Sequence, residues 1–233
     1  MATAPSLRAE RALLASGHAH VAGADEVGRG SLAGPVTAGV VVLDGDTRAP
    51  KGLRDSKALS HAARVALVPE IEMWAAACAV GHASAAEIDR YGILRALRLA
   101  GERALASLPV VPEVVILDGN HDWFHRPARI ESSPLAAAAP RVELRVRADA
   151  ECASAAAASV IAKVARDLLM EDLAKEHPAY GWEENRGYAS DAHRAAIAEH
   201  GPCEHHRRTW QLLPTGVQTE FWPGPDPVPP GAA

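Results

Sequence analysis

Apolar and polar positions follow two different periods along the chain, and each period predicts one kind of element. A β-branched apolar run covers Val36–Leu43, and a shorter apolar run over residues 21–24 leads into Asp25 and Glu26. The glycine-rich turn between these two runs favours a β-hairpin. We therefore predict two adjacent strands near the start of the chain, the first of which ends in acidic residues.

Further strands and helices follow the same two periods. Apolar or alternating runs predict strands over residues 75–81, 110–117 and 142–146. Apolar positions at helical spacing predict helices over residues 60–74, over residues 84–105 after a capping box, and over residues 151–176. Strands that are followed by helices indicate a mixed α/β domain with a layered architecture.

Composition and charge narrow the class of protein. Hydrophobic residues make up 48% of the 233 residues and charged residues 23%, which suits a folded globular chain and excludes wholesale disorder. The 24 Lys and Arg are outnumbered by 29 Asp and Glu, so the formal net charge is −5. A protein that coats nucleic acid without a defined site relies on net positive charge, so that class is excluded.

Scattered cysteines and the character of the two chain ends complete the expected organisation. Cys78, Cys152 and Cys203 form no C-x-x-C pair, so neither a disulfide framework nor a zinc site is predicted. We see no secretory signal and no apolar run of membrane-spanning length, and we expect a cytoplasmic monomer without membrane association. The expected segments are an N-terminal arm over residues 1–16, either helical or frayed, a main domain over residues 17–213, and a disordered Pro-rich tail over residues 214–233.

Acidic residues stand where three predicted strands end. Asp25 and Glu26 end the first strand, Asp118 ends a later apolar strand, and Asp149 lies between the next strand and the long helix. Ligand sites of open α/β sheets lie at the carboxyl ends of strands. Converging carboxylates repel one another unless cations neutralise them. Their hard oxygens suit Mg²⁺ or Mn²⁺, and two such ions can clamp the attacking and leaving oxygens of a phosphoryl transfer.

Each of these acidic residues also has a purely structural interpretation. Asp149 could cap the helix that follows it, and the Asp118–Gly119 pair could form an ordinary turn. Asp25 and Glu26 could be solvated turn residues. Acid at the end of three apolar strands favours a metal site when the three are taken together, while the structural interpretation of each single residue stays open.

Two glycine-containing segments resemble motifs of other protein classes but lack the context of those motifs. Residues 28–34 read G-x-G-x-x-x-G, one residue longer than a dinucleotide-binding fingerprint, and Pro35 and a strand follow where that fingerprint needs a helix. Residues 119–122 read G-N-H-D, as in calcineurin-like metallophosphoesterases. The other motifs of those enzymes are missing or stand at the wrong end of the chain, so this function is kept as a minor alternative.

In combination, the motifs of the chain resemble those of the bacterial ribonuclease HII family. The matching segments are residues 23–30 (G-A-D-E-V-G-R-G), 33–36 (A-G-P-V), 55–59 (D-S-K-A-L), 116–119 (I-L-D-G), 155–167 (A-A-A-A-S-V-I-A-K-V-A-R-D) and 186–188 (R-G-Y), with His193, His206 and Arg207. The resemblance covers about residues 20–212.

The resemblance implies a ribonuclease H-like mixed sheet flanked by helices, with a helical C-terminal extension. It also implies an endonuclease that cleaves the RNA strand of RNA–DNA hybrids and cuts 5′ of single ribonucleotides embedded in duplex DNA. The products would be a 3′-OH and a 5′-phosphate, formed with two Mg²⁺ or Mn²⁺ ions. The implied catalytic and metal-binding residues are Asp25, Glu26, Asp118 and Asp149.

The resemblance also implies contacts with the substrate. The 2′-hydroxyl, which distinguishes RNA from DNA at a single site, would be read by Gly28, Arg29 and Gly30. Tyr188 would stack at the step from ribose to deoxyribose. Phosphate contacts are implied for Ser56, Lys57 and Arg186.

Two positions depart from the family pattern. Arg186 stands where Lys usually precedes the Gly-Tyr pair, which keeps the charge but changes the donor geometry. Trp210 is the aromatic residue that closes the H-R-x-x-F motif. A hybrid-binding protein without catalytic activity is the alternative from a different class, and the intact set of four carboxylates argues against it.

Overall fold

A computed structural model describes residues 4–45, 48–126, 128, 130, 133–134 and 140–214. Its strands, in chain order, are β1 (Val21–Val27), β2 (Val36–Leu43), β3 (Ala77–Ala83), β4 (Val114–Asp118) and β5 (Arg141–Arg145). They form one sheet in the order β3-β2-β1-β4-β5. β1 pairs antiparallel with β2 and β2 with β3, whereas β4 runs parallel to both β1 and β5. The sheet is therefore mixed, and the predicted hairpin of the first two strands is confirmed.

Eight helices accompany this sheet within the described residues. They are α1 (Arg8–Ala15), α2 (His61–Trp74), α3 (Ala85–Tyr91), α4 (Ile93–Ser107), α5 (Ala148–Glu151), α6 (Ala153–Glu176), α7 (Trp182–Asn185) and α8 (Asp191–His200). Two short 3₁₀ turns cover Ser56–Ala58 and Pro178–Tyr180. In the part of the chain that the structure describes, no helix combines the length and the apolar character that crossing a membrane requires.

Helices cover both faces of the sheet, which explains why β2 is apolar at nearly every position. α6 packs across β1 and β2, and α4 packs across β2 and β3. The alanine-rich start of α6 allows a very close approach to the sheet. A Cβ atom on Gly23 would lie 2.2 Å from the backbone N of Ala155, and one on Gly39 would lie 2.4 Å from the carbonyl O of Ala158. The close packing of α6 on the sheet therefore requires both the glycines of the strands and the small alanine side chains of α6.

Several predicted boundaries are wrong by a few residues, for identifiable reasons. The strand predicted over residues 110–117 begins only at Val114, because Pro112 interrupts the run and Val111 is exposed. The strand predicted over residues 75–81 is shifted to Ala77–Ala83, since Ala75 ends α2. β1 continues to Val27, so Asp25 and Glu26 lie inside the strand near its carboxyl end.

Two predicted helices are interrupted. The helix predicted over residues 84–105 divides into α3 and α4 at Gly92, whose φ of 78° breaks the helical path. The helix predicted over residues 151–176 begins at Ala153, because Cys152 is extended and forms a bridge with Ser6. Asp149 consequently lies in the separate short helix α5.

The N-terminal segment packs against the start of α6. The sequence left open whether residues 1–16 are helical or frayed, and Arg8–Ala15 is a helix. Glu10 of this helix is fully buried and accepts hydrogen bonds from the backbone N–H and the hydroxyl of Ser154 at 2.8 and 2.7 Å. Residues 8–15 are therefore held by the domain.

The C-terminal part is helical and has a small core of its own. Met170 of α6 packs there with Tyr180, Trp182, Ile197 and Leu212. The predicted helical extension is therefore confirmed in residues up to 214. The Pro-rich tail was predicted over residues 214–233, and its residues 215–233 lie outside the described part of the chain.

Candidate active site

Four carboxylates meet at one edge of the sheet. Asp25 and Glu26 lie near the carboxyl end of β1, Asp118 is the last residue of β4, and Asp149 lies in α5, just after β5. Because β1, β4 and β5 are parallel neighbours, their carboxyl ends share this edge. The backbone N–H of Asp149 donates to Asp118 Oδ1 at 3.3 Å. The structure thus brings together the acidic residues that the sequence analysis selected.

Asp25 is the most buried of these carboxylates, with 4% of its surface exposed. Burial and the negative charge of Glu26 raise the pKa of Asp25 to about 8, and Asp118 adds to the rise, whereas a hydrogen bond from Ser159 opposes it. An ionised Asp25 is therefore disfavoured at neutral pH unless a cation compensates its charge.

The neighbouring carboxylates are perturbed in the same direction. Burial raises the pKa of Glu26, although Arg29, with Nη1 3.7 Å from Oε1, and the indole N–H of Trp123, 3.3 Å from Oε2, oppose the rise. Burial and the charge of Asp149 raise the pKa of Asp118. Three carboxylates at one edge therefore share a tendency to keep their protons, which is the electrostatic signature of crowded like charge.

Lys57 supplies a positive charge to this edge. Its Nζ lies 2.9 Å from Asp149 Oδ2 and 3.6 Å from Asp55 Oδ1, and its side chain is 74% exposed. Burial alone lowers the pKa of Lys57, but the hydrogen bond and the charge of Asp149 outweigh burial and raise the pKa above its ordinary value. Lys57 and the more distant Arg29 leave an excess of negative charge when all four carboxylates are ionised.

Ser56 is arranged differently from the lysine beside it. It is 5% exposed, and its hydroxyl lies 2.7 Å from the hydroxyl of Ser159, which also bonds with Asp25. The D-S-K segment therefore presents Lys57 to the surface, while Ser56 links the segment to α6 and to Asp25. A phosphate contact by Ser56 stays a prediction.

The donor set fits hard divalent cations. The four side chains that converge here offer carboxylate oxygens, which Mg²⁺ and Mn²⁺ prefer over nitrogen or sulfur ligands. The raised pKa of Asp25 points the same way, since a bound cation would replace the proton there.

Beside the carboxylates, a glycine-rich loop over residues 28–35 is held from below by two buried arginines. Arg166 donates to the carbonyl oxygens of Pro35 at 2.9 Å and Ala33 at 3.1 Å. Arg207 donates to the carbonyl oxygens of Gly28 at 2.6 Å, Arg29 at 2.9 Å and Gly34 at 3.2 Å. Neither guanidinium is exposed, so these bonds fix the path of the loop.

The outer side of this loop keeps free backbone donors. Arg29 and Gly30 are exposed, and no acceptor among the described residues bonds to their backbone N–H groups. Gly28 has a φ of 81°, and a Cβ atom there would lie 2.1 Å from Arg166 Nε, so only glycine fits. At Gly30 a Cβ atom would meet no atom within 4 Å, so the space beside it is open.

Tyr188 and Arg186 lie next to the glycine-rich loop. The guanidinium of Arg166 lies over the Tyr188 ring, 5.4 Å from its centroid, and the ring is partly exposed. Arg186 Nη2 bonds to the carboxylate of Glu171 at 2.6 Å, and the guanidinium also donates to the carbonyl oxygens of Trp182 and Glu183. The structure brings Tyr188 to the loop, whereas the guanidinium of Arg186 joins α7 to α6.

Several residues that shape this site have no role that the sequence alone predicts. Arg166, Arg207 and Ser159 lie inside the quoted family segments, so the motif strings were the available signal. Trp123, which bonds to Glu26, carried no signal of its own. Asp122, in the G-N-H-D segment, accepts hydrogen bonds from the backbone N–H groups of residues 124 and 125, at 3.1 and 3.0 Å, and so forms a turn.

Comparison with known proteins gives a consistent result. A sequence profile described as Ribonuclease HII matches residues 22–213. Ribonuclease HII of Streptomyces avermitilis is 45% identical over 210 residues, which cover 90% of this chain and 84% of the relative. Ribonuclease HII of Ruegeria sp. is 48% identical over 209 residues, which cover 89% of this chain and 84% of the relative.

A solved structure agrees with these sequence matches. Ribonuclease HII of Archaeoglobus fulgidus, solved in complex with PCNA, has a TM-score of 0.67 and 28% identity, and the match covers 86% of this chain and 98% of that chain. The predicted ribonuclease H-like fold is therefore confirmed. The chain belongs to the ribonuclease HII family, whose members are metal-dependent endonucleases that hydrolyse phosphodiester bonds of RNA paired with DNA.

Proposed function

We propose that this protein cuts the phosphodiester bond 5′ of a ribonucleotide, both in RNA–DNA hybrids and where one ribonucleotide is embedded in duplex DNA. The products are a 3′-OH and a 5′-phosphate. The observation that carries the proposal is the close association of a buried carboxylate edge with a rigid loop whose backbone donors are free. The first feature suits phosphodiester hydrolysis, and the second suits recognition of a sugar hydroxyl.

Asp25, Glu26, Asp118 and Asp149 would hold the divalent cations, Mg²⁺ or Mn²⁺. Such ions lower the pKa of water and stabilise the negative charge that develops on the leaving 3′ oxygen. The fold itself places the four carboxylates together, since the sheet and α5 hold all four side chains near one edge without bound ions. Ser159 and Trp123 orient Asp25 and Glu26 through hydrogen bonds.

The glycine-rich loop would select ribose. The backbone N–H groups of Arg29 and Gly30 are free to donate to a 2′-hydroxyl, and the open space at Gly30 lets a sugar approach the backbone. Deoxyribose lacks this acceptor, so the loop would leave a DNA nucleotide without these hydrogen bonds. Because Arg166 and Arg207 already fix the loop, little entropy is lost when the sugar binds.

Tyr188 and Lys57 would contact the substrate on the two sides of this loop. The partly exposed ring of Tyr188 offers a stacking face to a sugar or base, and Arg166 supports it from behind. The exposed ammonium of Lys57 reaches the carboxylate edge and can neutralise a phosphate there. A phosphate contact by Arg186 would require its guanidinium to exchange the bond to Glu171.

Incubation with a duplex that carries one ribonucleotide tests the function. We expect a nick on the 5′ side of the ribonucleotide with Mg²⁺ or Mn²⁺, none with EDTA, and none in the all-DNA duplex of the same sequence. Asp118→Asn is the matched variant, because Asn keeps the acceptor for the Asp149 N–H while it removes the charge. Its expected loss of rate is at least about a thousandfold, equivalent to several kcal/mol of transition-state stabilisation.

Other outcomes of this experiment would contradict the proposal. A metal-independent shift of the duplex without a nick would indicate a binding protein. Full activity of Asp118→Asn would remove the assignment of the carboxylates. A cut on the 3′ side of the ribonucleotide would contradict the proposed position of cleavage, and equal cutting of the all-DNA duplex would contradict the proposed selection of ribose.

A further inference from the structure

A second group of ligating side chains lies at the far end of α6. In the described part of the chain, three potential ligand atoms lie within 4.8 Å of one another only at Glu176, His177 and His205. From Ser159, which bonds with Asp25, to Glu176 the helix rises by about 25 Å, at about 1.5 Å per residue. This group is therefore separate from the carboxylate edge.

The two imidazoles of this group converge on one point. His177 Nε2 lies 4.0 Å and His205 Nε2 lies 3.9 Å from the same oxygen of Glu204, Oε1. The two rings lie edge to face, with centroids 5.2 Å apart. Both rings also pack near Trp182, at centroid distances of 5.7 and 6.1 Å, so the aromatic core behind them restricts their orientation.

The nitrogens are also available. Among the described residues, no hydrogen bond engages the ring nitrogens of His177 or His205, and both side chains are partly exposed, at 24% and 31%. The carboxylates of Glu176 and Glu204 are exposed. A buried imidazole with satisfied hydrogen bonds would be a structural residue, whereas these two have nitrogens that can accept a ligand bond.

The position in the fold favours a cation. His177 follows the last residue of α6, a helix of 24 residues, and the carboxyl end of a helix carries partial negative charge. Two imidazoles and one carboxylate form a nitrogen and oxygen donor set that suits borderline divalent ions such as Zn²⁺. Ligand bonds to Zn²⁺ are about 2.1 Å long, so the donors must close by roughly one ångström, which exposed side chains permit.

We propose that Glu176, His177 and His205 bind one borderline divalent transition-metal ion at this end of α6, beside the carboxylate of Glu204. The ion ties the end of the helix to the segment over residues 201–210. The carbonyl oxygen of His205 accepts a hydrogen bond from the N–H of Gly34 at 2.8 Å, so the ion also braces the glycine-rich loop. The proposal does not depend on the catalytic function.

Zinc binding to the full chain tests this proposal. The probe is Zn²⁺, titrated calorimetrically in the presence of excess Mg²⁺, which favours the oxygen ligands of the carboxylate edge. We expect one Zn²⁺ per chain in the wild type and in Asp118→Asn. His177→Ala and His205→Ala should each weaken binding by at least about tenfold, and Glu176→Gln should weaken it less.

Two matched controls separate this site from other ligands. His200 also lies beside a glutamate, with Nε2 3.9 Å from Glu199 Oε2, but it belongs to no group of three close ligand atoms among the described residues, so His200→Ala should bind Zn²⁺ as the wild type does. Cys203, whose Sγ lies 3.3 Å from His206 Nδ1, could supply a thiolate site instead, so Cys203→Ser should leave binding unchanged.

A thermal measurement supplies a second readout. Zn²⁺ should raise the melting temperature of the wild type and should not raise that of His205→Ala, because an ion that binds only the folded state stabilises it. The proposal is overturned if the wild type shows no Zn²⁺ binding in excess Mg²⁺. Wild-type affinity in both histidine variants, or loss of binding in Cys203→Ser alone, would equally contradict it.

Discussion

The carboxylate edge and the glycine-rich loop lie side by side, yet they bury charges of opposite sign and differ in how those charges are compensated. At the edge, anions gather with too few cations, and the pKa of Asp25 rises to about 8 through burial and the charge of Glu26. Under the loop, the guanidinium groups of Arg166 and Arg207 are buried, and backbone carbonyl oxygens accept most of their hydrogen bonds. Arg207 keeps its charge at neutral pH, although burial and Arg166 lower its pKa to about 9.

This difference in charge compensation means that the carboxylate edge needs a bound cation, whereas the glycine-rich loop is stabilised by the chain alone. Arg166 and Arg207 have their donors satisfied by the chain itself, so the loop is rigid in the absence of substrate. The carboxylates repel one another until cations arrive, so the edge is less stable alone than when it is occupied. The glycine-rich loop is thus fixed by the chain itself, whereas the carboxylate edge is electrostatically incomplete without a cation.

Removal of an arginine from beneath the loop should have the largest effect on stability. Arg207→Met leaves the carbonyl oxygens of Arg29 and Gly34 without their donor, and the carbonyl oxygen of Gly28 keeps only the N–H of Ser31 at 3.3 Å. Each buried unsatisfied group costs about 1–3 kcal/mol, so we expect a loss of about 3 kcal/mol or more in the free energy of unfolding. Urea denaturation measures this, and a loss below about 1 kcal/mol would contradict the scaffold role of Arg207.

Two glycine substitutions separate structure from recognition within the loop. Gly28→Ala meets Arg166 Nε at 2.1 Å and requires a strained φ, so we expect a loss of stability and of activity. Gly30→Ala meets nothing within 4 Å, so stability should change by less than about 0.5 kcal/mol. The nicking rate of Gly30→Ala should still fall, by about tenfold, because the methyl group occupies the space beside the free N–H groups. Equal activity of Gly30→Ala and wild type would contradict the approach of ribose to this backbone.

Acid should weaken the C-terminal core through a buried pair of histidines. His193 Nε2 lies 3.0 Å from Trp182 Nε1 and 3.1 Å from His206 Nε2, while His206 Nδ1 accepts from the N–H of Cys203. These bonds are all satisfied when both rings are neutral, and burial together with His193 lowers the pKa of His206 to about 3. The unfolded chain therefore binds a proton that the folded chain does not between pH of about 6.5 and 3.

The sign of this pH dependence follows from the lowered pKa. Stability from His206 is fully present above pH of about 6.5 and is lost as the pH falls, with a slope of at most about 1.4 kcal/mol per pH unit. Urea denaturation across this range measures the slope. His206→Gln should flatten the curve, and an unchanged slope in that variant would rule out His206 as the source.

Lys57 should give the smallest effect on stability. Its side chain is 74% exposed, so Lys57→Gln should change the free energy of unfolding by less than about 1 kcal/mol, as is usual for exposed ion pairs. The nicking rate should fall more clearly, because the proposed contact of this ammonium with the substrate phosphate is lost. A stability loss without any change in rate would instead indicate a structural ion pair with Asp149.

The grouping of the four carboxylates at one edge could be predicted from sequence because Asp25, Glu26 and Asp118 stand near the ends of apolar strands inside recognisable motifs, and Asp149 follows the next strand. Their convergence depends on the strand order β1-β4-β5, which no local pattern specifies. The hydrogen bonds beneath the loop were harder to predict from sequence, since Arg207 bonds to Gly28, which lies far from it along the chain. The interruptions at Gly92 and Cys152 arise from tertiary contacts and a left-handed φ that helical spacing does not reveal.

Urea unfolding of wild type and Asp118→Asn, each with and without Mg²⁺, tests the central contrast most directly. Mg²⁺ is the suitable probe because its preference for oxygen ligands directs it to the carboxylate edge. Without cation, we predict that Asp118→Asn is as stable as the wild type or more stable, since one repelling charge is gone. With Mg²⁺, the wild type should gain stability and the variant should not. Equal stabilisation of both proteins by Mg²⁺, or a variant that is clearly less stable without it, would contradict the interpretation of this edge as a site completed by metal.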